Sequence, residues 1–104
     1  MVIVTTEFVP GKEILRSVGM VKGSTIRARH LGKDIVAGLR GIVGGEITEY
    51  TEMMASAREE ALKRMEADAA EKGANAVIGL RFGTSMVMQN AAEVIAYGTA
   101  VVLE

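Results

Sequence analysis

The sequence predicts an α+β fold in which an antiparallel sheet packs in two layers against one long and one short helix. Three observations lead to this prediction. Runs of β-branched and apolar residues lie towards both ends of the 104-residue chain, and a long amphipathic segment lies between them. The length suits one domain, residues 1–104. The predicted element order is β-β-α-α-β-β.

The composition indicates that the chain covers apolar surface with copies of itself. Hydrophobic residues make up 49% of the sequence and the mean hydropathy is +0.25, yet a chain of this length buries only about two thirds of its surface on folding. No run approaches the roughly 20 apolar residues of a membrane span. The N-terminus lacks the basic region and long apolar core of a signal peptide. We therefore expect a cytoplasmic homo-oligomer.

Cysteine content and charge exclude several classes of protein. The chain has no cysteine, which rules out disulfide scaffolds, cysteine nucleophiles and thiolate metal sites. The formal net charge of −1 provides no basic footprint for nucleic acid. We expect neither nucleic acid nor a membrane as a partner.

The N-terminal quarter is predicted to form strands. Residues 2–6 are mostly β-branched, and the Pro10-Gly11 pair that follows is a strong turn signal. Residues 13–18 and 24–28 are strand-like and flank the segment 19–23. That segment is either a bend within one long strand or a turn between two.

A short helix is predicted over residues 31–43. Ile35, Leu39 and Ile42 recur at helical intervals, and Asp34 suits an N-cap. The glycine pair at 44–45 ends this helix.

The long helix is predicted over residues 46–72, with Gly73 as its C-terminal cap. Its apolar stripe consists of Ile47, Tyr50, Met54, Ala57, Ala61, Met65 and Ala69. The alanines in this stripe allow the helix backbone to lie close to a sheet.

Two strands complete the predicted sheet. The first covers residues 75–82, with Ala76, Ile78, Leu80 and Phe82 on one face. Turn chemistry is found at 83–85 and again at 89–90. The last strand, 92–104, lacks clean alternation, so we expect both of its faces to be covered.

Several segments resemble a known bacterial family. They are residues 27–30, 34–40, 44–47, 50–51, 73–79 and 97–101. In this order they resemble the YbjQ family of short, uncharacterised proteins, some of which carry a heavy-metal-binding label. The resemblance extends over essentially the whole chain. It implies a small α+β subunit that assembles into a ring, reported for the family as pentameric, and it implies no established activity.

The candidate metal ligand is His30, the one histidine of the chain. Imidazole suits several metals, and a ring would bring several copies together. The alternative is a surface or hydrogen-bonded histidine beside Arg29. Met86 and Met88 are predicted to share a strand face, where they form either a Cu(I) pair or ordinary apolar packing.

An anion site is the better supported chemistry. Arg27 and Arg29 alternate along a strand and therefore point the same way, beside His30. Arg40 could join them, and a helix N-terminus follows the glycine pair. Glu46 sits at that terminus, so inter-subunit salt bridges are the alternative use of these arginines.

A catalytic site is the weakest of the three hypotheses. Glu46 and Tyr50 lie four residues apart on one helix face, and His30 could approach them in a cleft between subunits. No Ser-His-Asp arrangement is readable. Tyr97 precedes Gly98, which marks a bulge or a close backbone approach, and Tyr97 is expected to pack at a subunit interface.

The sequence thus predicts a non-enzymatic, ring-forming homo-oligomer that binds a metal ion or a small anionic ligand at its subunit interfaces. The alternatives are a small enzyme with an inter-subunit active site and a scaffold without a ligand. No particular cofactor is indicated. The candidate ligand-binding residues are Arg27, Arg29, His30, Arg40, Glu46 and Tyr50.

Overall fold

The computed structural model describes residues 1–28, 48–89 and 91–104. Within these segments the elements are β1 (Val2–Ile3), β2 (Ile14–Ala28), α1 (Thr48–Glu71), β3 (Ala76–Met88) and β4 (Ala91–Leu103). They form a four-stranded sheet with α1 packed on one face, which is the predicted α+β class. The short helix predicted over 31–43 and the glycine pair at 44–45 lie outside the described residues.

The sheet has the strand order β1-β3-β4-β2. β4 pairs with β2 and with β3 in antiparallel fashion, whereas β1 runs parallel to β3, with Val2 opposite Ala76. The expectation of a wholly antiparallel sheet is therefore wrong for this pair. The reason is the connection: residues 4–13 carry the chain from one edge of the sheet to the other, so no hairpin forces β1 to run against its neighbour.

β2 is one long strand, and residues 19–23 form no turn. The pairing with β4 shifts between Ser17 and Gly19, and Gly19 has a φ of 105°. Because only glycine adopts this conformation without strain, Gly19 accommodates this shift and the strand continues past it. Of the two alternatives for this segment, the bend is correct.

The β3–β4 hairpin is longer than predicted. Gly83 and Thr84 pair with Ile95 and Val94, so the turn expected at 83–85 is wrong. The glycine serves packing, because a Cβ at Gly83 would lie 3.2 Å from the Ile95 Cγ2 atom. The second turn signal is correct at Gln89, which lies in the turn after β3.

A bulge at Gly79 reverses the side-chain alternation of β3. The pairing shifts between Ile78 and Arg81, and Gly79 has a φ of 62°. Ile78 therefore lies on the face away from α1, whereas Leu80 packs with the helix-side core. The prediction that residues 76, 78, 80 and 82 share one face is wrong for this reason.

The main core lies between α1 and the sheet. The helix contributes the alanine-rich stripe that the sequence predicted, with Met65 as its largest fully buried side chain. The strands contribute chiefly small and β-branched side chains. The buried residues of this core are Val21, Ala57, Ala61, Met65, Ala69, Ala74, Val77, Val94, Ala96 and Ala100.

Described residues cover the opposite face of the sheet at one end only. There Val4 and Val9, from the N-terminal segment, pack on a second cluster formed by Ala76, Ile78, Val101 and Leu103. β4 thus buries side chains on both faces, as predicted. Farther along the sheet no described element covers this face, which we call the open face; Met20, Ile26 and Tyr97 lie on it, exposed by 64%, 58% and 39%.

The described part of the chain is elongated. Its Cα atoms extend over 55 × 24 × 16 Å with a radius of gyration of 17.4 Å, against about 13 Å for a compact domain of this length. None of the described helices is both long enough and apolar enough to cross a membrane. The cytoplasmic location stays a prediction.

Candidate ligand site

A cavity of about 270 Å³ lies between the first turns of α1 and the far end of the sheet. Its lining combines one stretch of the helix with the ends of β3 and β4. The lining residues are Tyr50, Met53, Met54, Met86, Ala91 and Ala92.

The helix provides one wall of this cavity. Tyr50, Met53 and Met54 are spaced by three and four residues, so they lie on one side of the helix. Met54 also packs against the main core, which holds this end of α1 against the sheet. All three side chains are half-buried.

The hairpin provides the other wall. Met86 pairs with Ala92 across the hairpin, and Met88 pairs with the adjacent Ala91. This register shift breaks the alternation of β3 between the two methionines. The predicted same-face pair of Met86 and Met88 is therefore wrong, and only Met86 lines the cavity. Met86 is 79% exposed and stands at the mouth of the cavity.

The side-chain heteroatoms of this lining are three thioether sulfurs and one phenol oxygen. Thioethers are soft, neutral donors, whereas hard cations prefer carboxylates. Among residues 1–28, 48–89 and 91–104, no group of three or more His, Asp or Glu side chains could hold a metal. The chain has no cysteine.

The structure brings two of the predicted site residues to this end of the sheet. Tyr50 lines the cavity, and the half-buried Arg27 pairs with Ala92, which also lines it. Arg29, His30, Arg40 and Glu46 lie outside the described residues. The anion, histidine-metal and catalytic hypotheses all depend on members of that group, so they stay predictions.

Sequence reasoning missed Met53 and assigned Met54 to the core alone. The sequence did contain a signal for the helix wall of the cavity, namely the spacing of Tyr50, Met53 and Met54. It contained none for the contact of these residues with Met86 on β3. Helical spacing shows that the first three share a side of α1, but it does not show which strand lies opposite.

The open face carries a second group of polar side chains. Tyr97 stands between Lys22 and Arg81 on neighbouring strands. The Arg81 Nη1 atom donates to the carbonyl oxygens of Thr5 and Leu80 at 2.9 and 2.8 Å. These bonds tie the guanidinium to the N-terminal segment, so we assign it a structural role.

Of the two alternatives that the sequence left open for Gly98, the structure shows the close approach. A Cβ at Gly98 would lie 2.7 Å from the Val77 Cγ1 atom and 3.0 Å from the Ile78 carbonyl oxygen. The glycine therefore lets β3 and β4 pack at the point where the Gly79 bulge distorts their pairing. The interface role expected for the neighbouring Tyr97 stays a prediction.

The fold and cavity define a small two-layer α+β domain with a methionine-lined cavity. A family model described as "Putative heavy-metal-binding" matches residues 1–104. The chain belongs to this family, the YbjQ family, and the resemblance stated above is confirmed.

The relatives are UPF0145 proteins of the same or slightly greater length. A UPF0145 protein of Dehalococcoides mccartyi is 66% identical over 104 residues, which cover all of both chains. A UPF0145 protein of Methanosarcina acetivorans is 59% identical over 101 residues, covering 97% of this chain and 95% of that protein. A third, from Clostridioides difficile, is 60% identical over 104 residues and 93% of its length.

A solved structure with a similar fold is known. It is the crystal structure of a protein of unknown function from Pediococcus pentosaceus that belongs to the DUF74 family. The TM-score is 0.64 with 18% identity, and the match covers 100% of this chain and 98% of that one. At this identity the likeness concerns the fold alone.

Proposed function

We propose that this chain is a non-enzymatic subunit of a closed homo-oligomeric ring that binds a small ligand where subunits meet. Five subunits is the ring size that the family resemblance implies. The observation that carries the proposal is the apolar open face, where Ile26 and Tyr97 lie exposed on the sheet.

The exposed apolar side chains extend beyond the open face. Eleven large hydrophobic side chains of the described residues are exposed, and Met86, Val87 and Met88 follow one another at the end of β3. Scattered apolar side chains are ordinary on a monomer, but contiguous ones mark interaction surfaces. A second copy of the same chain would bury these side chains, and no other partner would be needed.

The outer edge of β2 is protected against pairing with a strand of another chain. Association through the faces of the sheet is therefore favoured over pairing of strand edges. The Asp68 carboxylate accepts a hydrogen bond from the Lys22 backbone N–H at 3.3 Å, and Arg64 donates to the Ser24 carbonyl oxygen at 2.7 Å. Charged side chains on a strand edge suppress edge-to-edge pairing. Head-to-tail contacts through other surfaces close into a ring when the rotation between subunits permits it.

The cavity is the place proposed for the ligand. It lies beside exposed apolar residues of β3, so a neighbouring subunit seated there would enclose it. Arg27, which pairs with the lining residue Ala92, suits a small anion, and the thioethers suit a soft metal ion.

Sedimentation velocity at micromolar concentration tests the ring. We expect a single species of about five times the chain mass of 11.0 kDa. A monomer under these conditions would contradict the proposal. Native mass spectrometry of the same sample tests the ligand, because a bound mass beyond the protein supports ligand binding, whereas bare protein supports the scaffold alternative.

A further inference from the structure

We propose that the cavity binds a soft monovalent metal ion, Cu(I) or Ag(I), through the thioether sulfurs of Met53, Met54 and Met86. This inference names the ligand of the function proposed above. It rests on residues of a single chain, so it does not depend on the size of the ring.

The donor set argues for a soft ion. A description of heavy-metal binding leads one to expect thiolates, imidazoles or carboxylates. The chain has no cysteine, it has a single histidine, and the described residues contain no cluster of three His, Asp or Glu side chains. Within the part of the chain that the structure describes, the residues therefore do not fit a divalent structural site of the usual kind.

Thioethers are the remaining soft donors, and they are concentrated at one place. Of seven methionines in the chain, three line this one cavity, and they make up half of its lining residues. Thioether ligands select Cu(I) among the first-row metals. Methionine has three rotatable bonds, so sulfurs from the helix and the hairpin can converge on a small ion.

The charge near the cavity disfavours a monovalent cation less than a divalent one. Arg27 pairs with the lining residue Ala92, and its positive charge repels any cation bound nearby. That repulsion is half as large for a monovalent ion as for a divalent ion at the same distance. Three neutral thioethers add no charge of their own, so a monovalent ion leaves the apolar cavity with a single positive charge, whereas a divalent ion would leave two.

The competing interpretation is that these methionines only fill apolar space, as they do in most proteins. The two interpretations differ in what a Met→Leu substitution does. Leucine keeps the volume and apolar character of methionine, at a typical cost below about 1.5 kcal/mol. A packing role therefore survives this substitution, whereas a sulfur ligand is lost.

Anaerobic titration of Cu(I) against a chromophoric chelator tests the proposal. We expect wild-type protein to take one Cu(I) per chain, with sulfur neighbours in X-ray absorption. The M53L and M86L variants should each lose at least about tenfold in affinity, the order of loss that even an indirect supporting group produces. Ag(I), which needs no reductant, should bind competitively, and Zn(II) should not.

The matched control is M20L. Met20 is 64% exposed and lies on the open face, away from the cavity. This variant should bind Cu(I) like wild type. Circular dichroism of each variant shows whether the fold is retained.

Three outcomes would overturn the proposal. They are the absence of Cu(I) binding by wild type, unchanged binding in the folded M53L/M86L double variant, and a loss in H30A that the methionine variants do not share. None of these readings depends on sedimentation. A monomer that binds Cu(I) in this way would refute the ring and leave the metal site standing.

Discussion

Gly23 sets the distance between the helix and the sheet. Its position on β2 faces the stretch of α1 between Ala61 and Met65, and a Cβ there would lie 2.7 Å from the Arg64 carbonyl carbon. Because the obstacle is helix backbone and not the end of a side chain, local adjustment cannot relieve the overlap. The absence of a side chain at Gly23 and the small side chains of the alanine stripe together allow α1 to pack close to β2.

We accordingly expect Gly23→Ala to destabilise the protein by about 3 kcal/mol, at the upper end of overpacking costs. Chemical denaturation followed by circular dichroism measures this loss. The matched control is Gly11→Ala, where a Cβ meets nothing within 4 Å but the φ of 79° strains the backbone. Its cost should be only about 1 kcal/mol. Equal costs for the two variants would show that contact with the helix does not decide the effect.

At the scale of elements, α1 is fastened to β2 by charged side chains as well as by the core. Asp68 accepts from the Lys22 N–H and also pairs with Lys72 at 3.2 Å. Lys72 in turn reaches the Met20 carbonyl oxygen at 3.5 Å. The helix thus satisfies backbone groups along a strand edge that no other described strand pairs.

Asp68→Ala should therefore loosen this edge without unfolding the domain. The expected cost is about 1 kcal/mol, since one backbone hydrogen bond and an exposed ion pair are lost. Native-state hydrogen exchange gives the sharper test, because the Lys22 amide should exchange faster while the Val94 amide in β4 stays protected. Glu59→Ala, on the exposed side of α1, is the control. Unchanged exchange at Lys22 would mean that Asp68 does not protect it.

Element type was predictable from the sequence, whereas register was not. The stripe from Ala57 to Ala69 predicted the helix and its buried side correctly because that periodicity is local. The bulge at Gly79 and the pairing of Gly83 with Ile95 depend on what lies across the sheet. A glycine in a strand indicates a turn, a bulge or a close approach alike, and only the neighbouring strand decides among them.

The same distinction applies to the candidate site. Tyr50 was predicted from its spacing on the helix, and Arg27 from strand alternation. The methionine cluster was missed because it joins α1 to a strand more than thirty residues away in the chain. Such long-range contacts depend on the order of the strands in the sheet. Because β4 lies between β2 and β3, Ala92 is paired with Arg27 on one side and with Met86 on the other.

At the scale of the whole molecule, the elongated shape and the open face belong together. The sheet contains strands of 13 to 15 residues, each about 45–50 Å long, whereas the 24-residue helix spans about 36 Å. One described helix therefore cannot cover the sheet along its length, nor can it cover both faces. Part of the high apolar content of the sequence therefore lies on sheet surface that α1 does not cover.

Ile26 provides the test of this connection. It is 58% exposed on the open face, and its cross-strand partner on β4 is Glu93. A lysine at this position would face Glu93 favourably within one subunit, so the stability of the isolated chain should change by no more than about 0.5 kcal/mol. Within an assembly the same lysine would bring an ammonium group into an apolar contact, which is costly.

We therefore expect Ile26→Lys to shift the protein to smaller species in sedimentation velocity at micromolar concentration, with an unchanged circular dichroism spectrum. Ala70→Lys adds the same charge at an exposed position on α1 and should leave the assembly intact. If Ile26→Lys sediments like wild type, this part of the open face lies outside the subunit contact. If both lysine variants dissociate, net charge and not the apolar face controls assembly.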